Sequence, residues 1–249
     1  MVFLDLFSDT AESYASARPR YPDALFEQLA FLAPSTSRAW DCGTGNGQAA
    51  IGLARWFSDV SATDASAEQI HSAIQNERIR YAVAPAEESG LPESHFDLVS
   101  VAQALHWFDR PRFYAEVHRV LKPGGLLAAY GYTWFYVDSD IDRVVDRYLL
   151  RPLTGHWAPN NQFLWDGYRT IEFPFKEIET PRLAIHLNWT LQELLAYYCT
   201  WSATRSYRRA VGDEALRESC NALQLAWGDA IKTRAVVMPL AIRLGYSIR

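Results

Sequence analysis

The chain of 249 residues is 49% hydrophobic and 21% charged, which excludes a wholly disordered protein and fits one α/β unit at the upper end of domain size. Its net charge of −5 speaks against a broad basic face, so no nucleic-acid partner is expected. Cys42, Cys199 and Cys220 are too few, and lack the CxxC spacing, for a disulfide framework or a zinc site, so the cytoplasm is the expected compartment and no metal is expected.

In chain order, Met1 to Phe7 is apolar but broken by Asp5, too short to span a membrane and without a basic leader region. Ser8 is a candidate cap for a short helix ending before Pro19. Pro22 suits the first turn of a helix whose Leu25, Phe26, Leu29 and Leu32 share one face, and Pro34 ends it. Strands are predicted at Arg38 to Cys42, Asp59 to Thr63, Ile79 to Ala84, Phe96 to Ala102 and Leu126 to Tyr132. Between them come helices at Gln48 to Phe57, at Ser66 to Asn76, and after Asp109, the last stopped by Lys122-Pro123-Gly124-Gly125. Strict alternation of strand and helix implies parallel pairing, a doubly wound α/β sheet. Beyond Tyr132 the pattern changes: a strand-rich stretch from Glu172 to Asn188, helices at Thr190 to Tyr207 and Asp213 to Asp229, and a last strand from Arg234 to Leu244. These read as the far edge of the same sheet interrupted by helices over its mouth, with a separate small domain after Tyr132 as the alternative.

In such a sheet ligands bind at the carboxyl ends of the strands. Asp41-Cys42-Gly43-Thr44-Gly45-Asn46-Gly47 lies there, between a strand and a helix. Its glycines permit positive φ and a bare approach to backbone, or simply a tight turn. Counted from Gly43, a dinucleotide fingerprint needs glycine where Gln48 stands, and a P-loop needs a lysine this loop lacks. An acid heading the loop favours a cationic ligand over a pyrophosphate. Asp64, 23 positions after Asp41, is placed to accept both hydroxyls of a ribose, or else to cap the helix that follows. The turn Gln103-Ala104-Leu105-His106-Trp107 must face the same cleft.

Asp41-x-Gly43-x-Gly45-x-Gly47, Asp64, Ala86-Glu87 before Leu91-Pro92, Phe96-Asp97-Leu98-Val99 and Leu121-Lys122-Pro123-Gly124-Gly125 arrive in the order and spacing of one family. The chain resembles the class I S-adenosyl-L-methionine (SAM)-dependent methyltransferases, and more narrowly the methyltransferase type 11 group that includes trans-aconitate methyltransferase-like proteins. Tyr14 with Arg18-Pro19-Arg20-Tyr21-Pro22 resembles that group's N-terminal cover, Ala104 to Phe108 its segment after the fourth strand, and Thr200 to Ala203 with Tyr207 its cap. The resemblance is strong over residues 10–132 and looser beyond. It implies a single Rossmann-like domain with a seven-stranded sheet, divided into N-terminal cover helices over residues 1–34, a SAM-binding core over 35–132, and a substrate cap with C-terminal edge strands over 133–249. It implies SAM as cofactor and S-adenosyl-L-homocysteine as product. Gly43, Thr44 and Gly45 would supply backbone against the methionine part, with Asp41 near its ammonium. Asp64 would hold the ribose, Ala65 and Gln69 would pack near the adenine, and Ala86 and Glu87 would meet its edge. Gln103 and Ala104 would line the sulfonium, while Tyr14 and Arg18 close over the carboxylate. Many relatives carry an acid just before the Ala-Glu pair; here it is Pro85, leaving the adenine amino group to Glu87 or to no acid.

Methyl transfer from a sulfonium is an in-line displacement, in which the protein aligns groups and excludes water. A carboxylate acceptor needs no base; for a phenol, amine or activated carbon, His106 is the best-placed base, or it is a packed histidine with satisfied hydrogen bonds. Arg205 is the candidate cation for an acidic acceptor, or a solvated arginine like its neighbours Arg208 and Arg209. Trp107, Tyr132, Trp134, Tyr197 and Trp201 form either an aromatic substrate wall or plain core. The expected activity is therefore methyl transfer to a small-molecule acceptor, a carboxylate oxygen among the candidates, by a monomer or homodimer without membrane partners. A SAM-binding protein with a regulatory or non-methyl-transfer role is the alternative, and a binding module for another nucleotide a third reading.

Overall fold

The computed structural model describes residues 17–248; the helix expected after Ser8, and Tyr14, lie outside the described residues. Five strands, β1 (Arg38–Cys42), β2 (Asp59–Asp64), β3 (Ile79–Val83), β4 (Phe96–Ala102) and β5 (Leu121–Tyr132), pair in parallel in the order β3-β2-β1-β4-β5. The intervening helices are α1 (Asp23–Leu32), preceding β1, then α2 (Gln48–Leu53), α3 (Ala67–His71) and α4 (Arg110–Val120). The order reverses between β1 and β4, which creates the crevice where ligands of this architecture bind. Beyond β5 come two short helices, α5 (Ser139–Val144) and α6 (Asn161–Trp165), and three further strands: β6 (Lys176–Ile178), β7 (Ala184–Trp189) and β8 (Arg234–Tyr246). β8 runs antiparallel to β5, with Leu126 opposite Tyr246 and Tyr132 opposite Leu240. β6 pairs antiparallel with β8, and β7 pairs with β8 off the main path. The described residues thus form eight strands where seven were expected, β7 being the addition.

Several predicted elements are shorter than their sequence pattern, each for a local reason. α2 ends at Leu53 because the chain tightens: the Arg55 amide bonds Gly52 O and the Trp56 amide bonds Leu53 O, three residues back. α3 stops at His71, where the Ser72 hydroxyl donates to Gln69 O and ends the ladder. The single helix expected from Thr190 to Tyr207 is two, α7 (Leu191–Cys199) and α8 (Ser202–Val211). Thr200 turns both its amide and its hydroxyl back to Tyr197 O, and Trp201 adopts extended backbone. Lys122 to Gly125 bulges out within β5, so that the pairing jumps from Phe96–Leu121 to Leu98–Leu126.

The chain divides into two compact units. One comprises Arg20–Thr133, Gln162–Ala184 and residues 239–248. Its sheet is covered on both faces. On one, Leu25, Phe26 and Leu29 of α1 and Leu53 of α2 pack with Val60, Leu98 and Tyr130; on the other, Phe113 and Val117 of α4 pack with Trp40, Val99, Leu127 and Tyr168. β4 is buried from Phe96 to Val101, and its one hydroxyl, Ser100, stands out in an otherwise apolar run except for Asp97. Burial on both faces is what its near-continuous apolar sequence requires.

The other unit takes Trp134–Asn161 and Ile185–Met238 together with residues 17–19. It holds α5 (Ser139–Val144), α7, α8 and α9 (Asp213–Trp227). α7 opens with a capping box, Thr190 accepting the Glu193 amide while Glu193 accepts the Thr190 amide. Asp138 caps α5 and is tied to Arg234 at 2.7 Å. Among the described residues no helix is long and apolar enough to cross a membrane.

Candidate active site

The glycine loop follows β1. Gly43, Gly45 and Gly47 all have positive φ, and at two of them the space is also closed. A Cβ on Gly43 would stand 2.7 Å from Ala104 Cβ, and one on Gly47 2.2 Å from Tyr81 Oη. Backbone at Gly43 therefore comes within side-chain contact of the turn after β4, and no larger residue fits. The amides of Gly43 and Thr44 both donate to Thr63 O, at 2.8 and 2.9 Å, which locks the loop against the end of β2. Thr63 is held in turn, its hydroxyl accepting from the Trp40 indole at 2.9 Å.

Asp41 lies under this loop, fully buried. It accepts the Thr44 hydroxyl at 2.6 Å and the Ser100 hydroxyl at 3.2 Å, and Ser100 is within 2.8 Å of the Tyr130 hydroxyl. Since Ser100 donates to Asp41, Tyr130 donates to Ser100. Burial pushes the Asp41 carboxyl up to about 6, against the lowering effect of these hydrogen bonds. Asp64 uses one oxygen for the Gly45 amide and the other for the Ser66 amide, each at 2.8 Å. It thereby steadies the start of α3, whose N-cap is Ser66, and as a partly exposed carboxylate it keeps lone pairs for further donors.

The turn after β4 is equally constrained. Gln103 sits at φ 58°, unusual for a residue with a side chain, with its amide on Tyr130 O and its side-chain nitrogen on Tyr132 O at 2.9 Å. Ala104 and Ala86 are buried. Glu87 accepts the Asp109 amide at 2.8 Å, so one of its oxygens is committed to the start of α4. Ala65 and Gln69 are exposed, Gln69 Oε1 being 3.6 Å from the place a Gly45 Cβ would take. Trp107 is 53% exposed and Tyr132 is buried.

His106 is buried, its Nδ1 3.3 Å from the Tyr168 hydroxyl. Burial lowers its basicity to about 4, so the ring is neutral at physiological pH. These are the features of the packed histidine that the sequence left as the other choice. Tyr168 is itself rigid: fully buried at φ 59°, with its amide on Phe163 O and its carbonyl accepting from Arg243 at 2.8 Å.

The remaining predicted residues belong to the second unit. Trp134, Trp157 and Trp201 form a triangle of indoles with ring centroids 5.5–6.0 Å apart, and Tyr197 packs edge-on against Trp201 at 5.5 Å. Arg205, one turn on from Trp201, donates to Thr200 O at 3.2 Å. Arg18 is partly buried. Sequence reasoning missed Ser100, Tyr130 and Tyr168 as parts of the site. Ser100 was detectable as a hydroxyl inside a buried strand; Tyr168 was not, because its proximity to His106 depends on a long return of the chain.

The residues fit a cationic, ribose-bearing ligand. Asp41 is a buried carboxylate with hydroxyl partners but no ion pair among the described residues, and a cation beside it relieves the penalty that raises its pKa. The Tyr21 hydroxyl is buried and has no hydrogen-bond partner among the described residues.

A parallel sheet reversing at a glycine loop, with an antiparallel β8 beside β5, defines a class I methyltransferase fold. Residues 40–129 match the methyltransferase domain, type 11. The chain is 36% identical over 182 residues to an uncharacterized methyltransferase of Mycobacterium tuberculosis, covering 66% of this chain and 71% of that one. A Dictyostelium discoideum protein named as a methyltransferase is 29% identical over 220 residues, 87% of this chain and 84% of its own. A solved type II methyltransferase structure from Anaeromyxobacter dehalogenans superposes with a TM-score of 0.87 at 45% identity, covering 92% of this chain and 98% of that one. The chain belongs to the SAM-dependent methyltransferase family, and it is an enzyme of that class.

Proposed function

We propose that the protein binds SAM through the residues around the glycine loop and transfers its methyl group to a small-molecule acceptor, with a carboxylate oxygen the first class to test. The observation that carries this reading is a buried, cation-seeking Asp41 at the strand-order reversal, with the Gly45–Asp64 contact beside it at the end of β2. SAM, when bound, supplies an electrophilic methyl group on a sulfonium, so the chain need not provide a nucleophile. Asp41 orients the ammonium, the Gly43, Thr44 and Gly45 backbone lies along the methionine, and Asp64 holds the ribose hydroxyls. Ala86 and Ala104 offer small buried surfaces against the adenine and the sulfur, Glu87 keeps one oxygen for the adenine edge, and Gln103 fixes the turn that lines the sulfonium. Tyr14, Arg18, Ala65 and Gln69 complete this set.

For the acceptor, Trp107, Tyr132, Trp134, Tyr197, Trp201 and Arg205 are the candidate contacts, and residues 133–249 the substrate-binding part of a single domain. An ionised carboxylate needs no base. His106 then serves as a neutral hydrogen-bonding group; as a general base it would act only weakly, its basicity lying far below neutral pH. The first experiment is thermal unfolding with and without S-adenosylhomocysteine, with NADH as control. Ligand at about 100 times its Kd adds ~2.7 kcal/mol, a shift on the order of 5–10 °C in a chain of this size. No shift with S-adenosylhomocysteine withdraws the reading. With the cofactor established, transfer of labelled methyl from SAM to a panel of small carboxylic acids tests the acceptor class. Arg205→Ala is expected to lose that transfer while S-adenosylhomocysteine affinity stays; undiminished transfer removes Arg205 from the assignment.

A further inference from the structure

Tyr21 stands directly before Pro22, whose backbone is the N-cap of α1, and a residue preceding proline has little conformational freedom. Its ring is pinned edge-on against Tyr130 at 5.0 Å and Phe26 at 6.4 Å, and tilted against Tyr132 at 5.9 Å. Tyr130 and Tyr132 end β5, and Tyr130 is two hydrogen bonds from Asp41. The Tyr21 hydroxyl thus belongs to the carboxyl-end region of the sheet. It is buried, and no described residue donates to it or accepts from it. Burial first, then the neighbouring phenols and the Asp41 carboxylate, push its ionisation well above the usual tyrosine range, so it is a neutral phenol able both to donate and to accept. Tyr114 also has an unpartnered hydroxyl among the described residues, but on the other face of the sheet, with its ring edge-on to Phe173 and Phe175.

A buried phenol held rigid without a partner costs stability that phenylalanine would not. We infer that Tyr21 is a cofactor-binding residue whose hydroxyl completes its hydrogen bonding with the amino-acid end of SAM, donating to the carboxylate or accepting from the ammonium beside Asp41. This rests on the SAM-binding reading above. It assigns to the Arg18-Pro19-Arg20-Tyr21-Pro22 segment a contact from a residue that the family resemblance does not supply.

The test is Tyr21→Phe, with calorimetric affinities for S-adenosylhomocysteine and for 5′-methylthioadenosine, which keeps the adenosine and thioether but lacks the amino-acid end. The expected result is a loss on the order of ten- to a hundredfold for S-adenosylhomocysteine, the range for a hydrogen bond to a charged group, with methylthioadenosine changed less than about twofold. The ligand-free variant should melt no lower than wild type, since only an unpaired hydroxyl has been removed. Equal affinity of variant and wild type for S-adenosylhomocysteine, an equal loss for both ligands, or a lower melting temperature overturns the assignment while leaving SAM binding in place. Wild-type protein that binds neither ligand overturns both.

Discussion

The Asp64 carboxylate accepts the Gly45 amide at 2.8 Å, tying the end of β2 to the middle of the glycine loop. The group expected to hold the ribose therefore also shapes the loop that would carry the methionine. Asp64→Ala is expected to lower S-adenosylhomocysteine affinity more than tenfold and to cost about 1–2 kcal/mol of stability, because the Gly45 and Ser66 amides lose their acceptor. Calorimetry and urea melts on the same sample check both; a variant of unchanged stability would separate the two roles.

Asp41 sets a pH window. Its carboxyl titrates at about 6 in the folded chain, above its ordinary value. A raised acid destabilises the ionised folded form, by up to ~3 kcal/mol for a shift of this size, with the penalty fully developed above pH 6. S-adenosylhomocysteine, through its ammonium, should bind with constant affinity above that pH. Below it, affinity should fall toward tenfold per pH unit as Asp41 takes up a proton. Asp41→Asn is expected to bind weakly at every pH without a lower melting temperature at pH 8. Titration calorimetry from pH 5 to 8 reads the slope, and a flat profile in wild type would contradict the ammonium pairing.

His106 works in the opposite sense. Its basicity is lowered to about 4 by burial, so the unfolded chain takes up a proton near pH 6.5 that the folded chain refuses. Stability contributed by the neutral ring is present above pH 6.5 and is lost as pH falls toward 4, by as much as ~3 kcal/mol. Tyr168, whose hydroxyl lies 3.3 Å from Nδ1, is the better donor of the pair, which predicts the ring proton on Nε2. Long-range nitrogen NMR should find that tautomer with no titration between pH 5 and 8, and Tyr168→Phe should release it. A titration near 6.5 in wild type would restore His106 as a base.

At the other end of the sheet, Asp97 is buried and takes the Lys122 ammonium at 2.6 Å and the Arg38 amide at 2.9 Å. Asp97→Ala strands both, and about 3 kcal/mol of stability should go with them. S-adenosylhomocysteine affinity of the folded fraction should not change, since neither partner lies near the glycine loop. Denaturant melts and calorimetry together give the two readings.

The parallel half of the fold was legible because each signal is local: alternating apolar periods, glycine at the loop, Pro-Gly-Gly after α4. Asp41 and Asp64 could be named for the same reason, since loop chemistry fixes an acid at a strand end. What the sequence hid depends on partners far along the chain. Nothing near Arg234 declares that β8 will run antiparallel to β5, and the Thr200 hydroxyl that splits one long helix into α7 and α8 looks like any polar residue on a helix face. His106 illustrates the limit at the site. Its position after β4 was readable, but its neutral state comes from burial in the folded core, among residues that include a tyrosine 62 positions on.

Besides residues 17–19, the unit holding the indole triangle is assembled from two separated stretches, Trp134–Asn161 and Ile185–Met238, with Gln162–Ala184 between them given to the other unit. Trp134 and Trp157 come from the first stretch and Trp201 from the second. A chimera that grafts either stretch alone from a relative would break that triangle, so if the proposed acceptor contacts hold, exchanging acceptor preference between homologues demands both segments, moved together into an untouched parent scaffold.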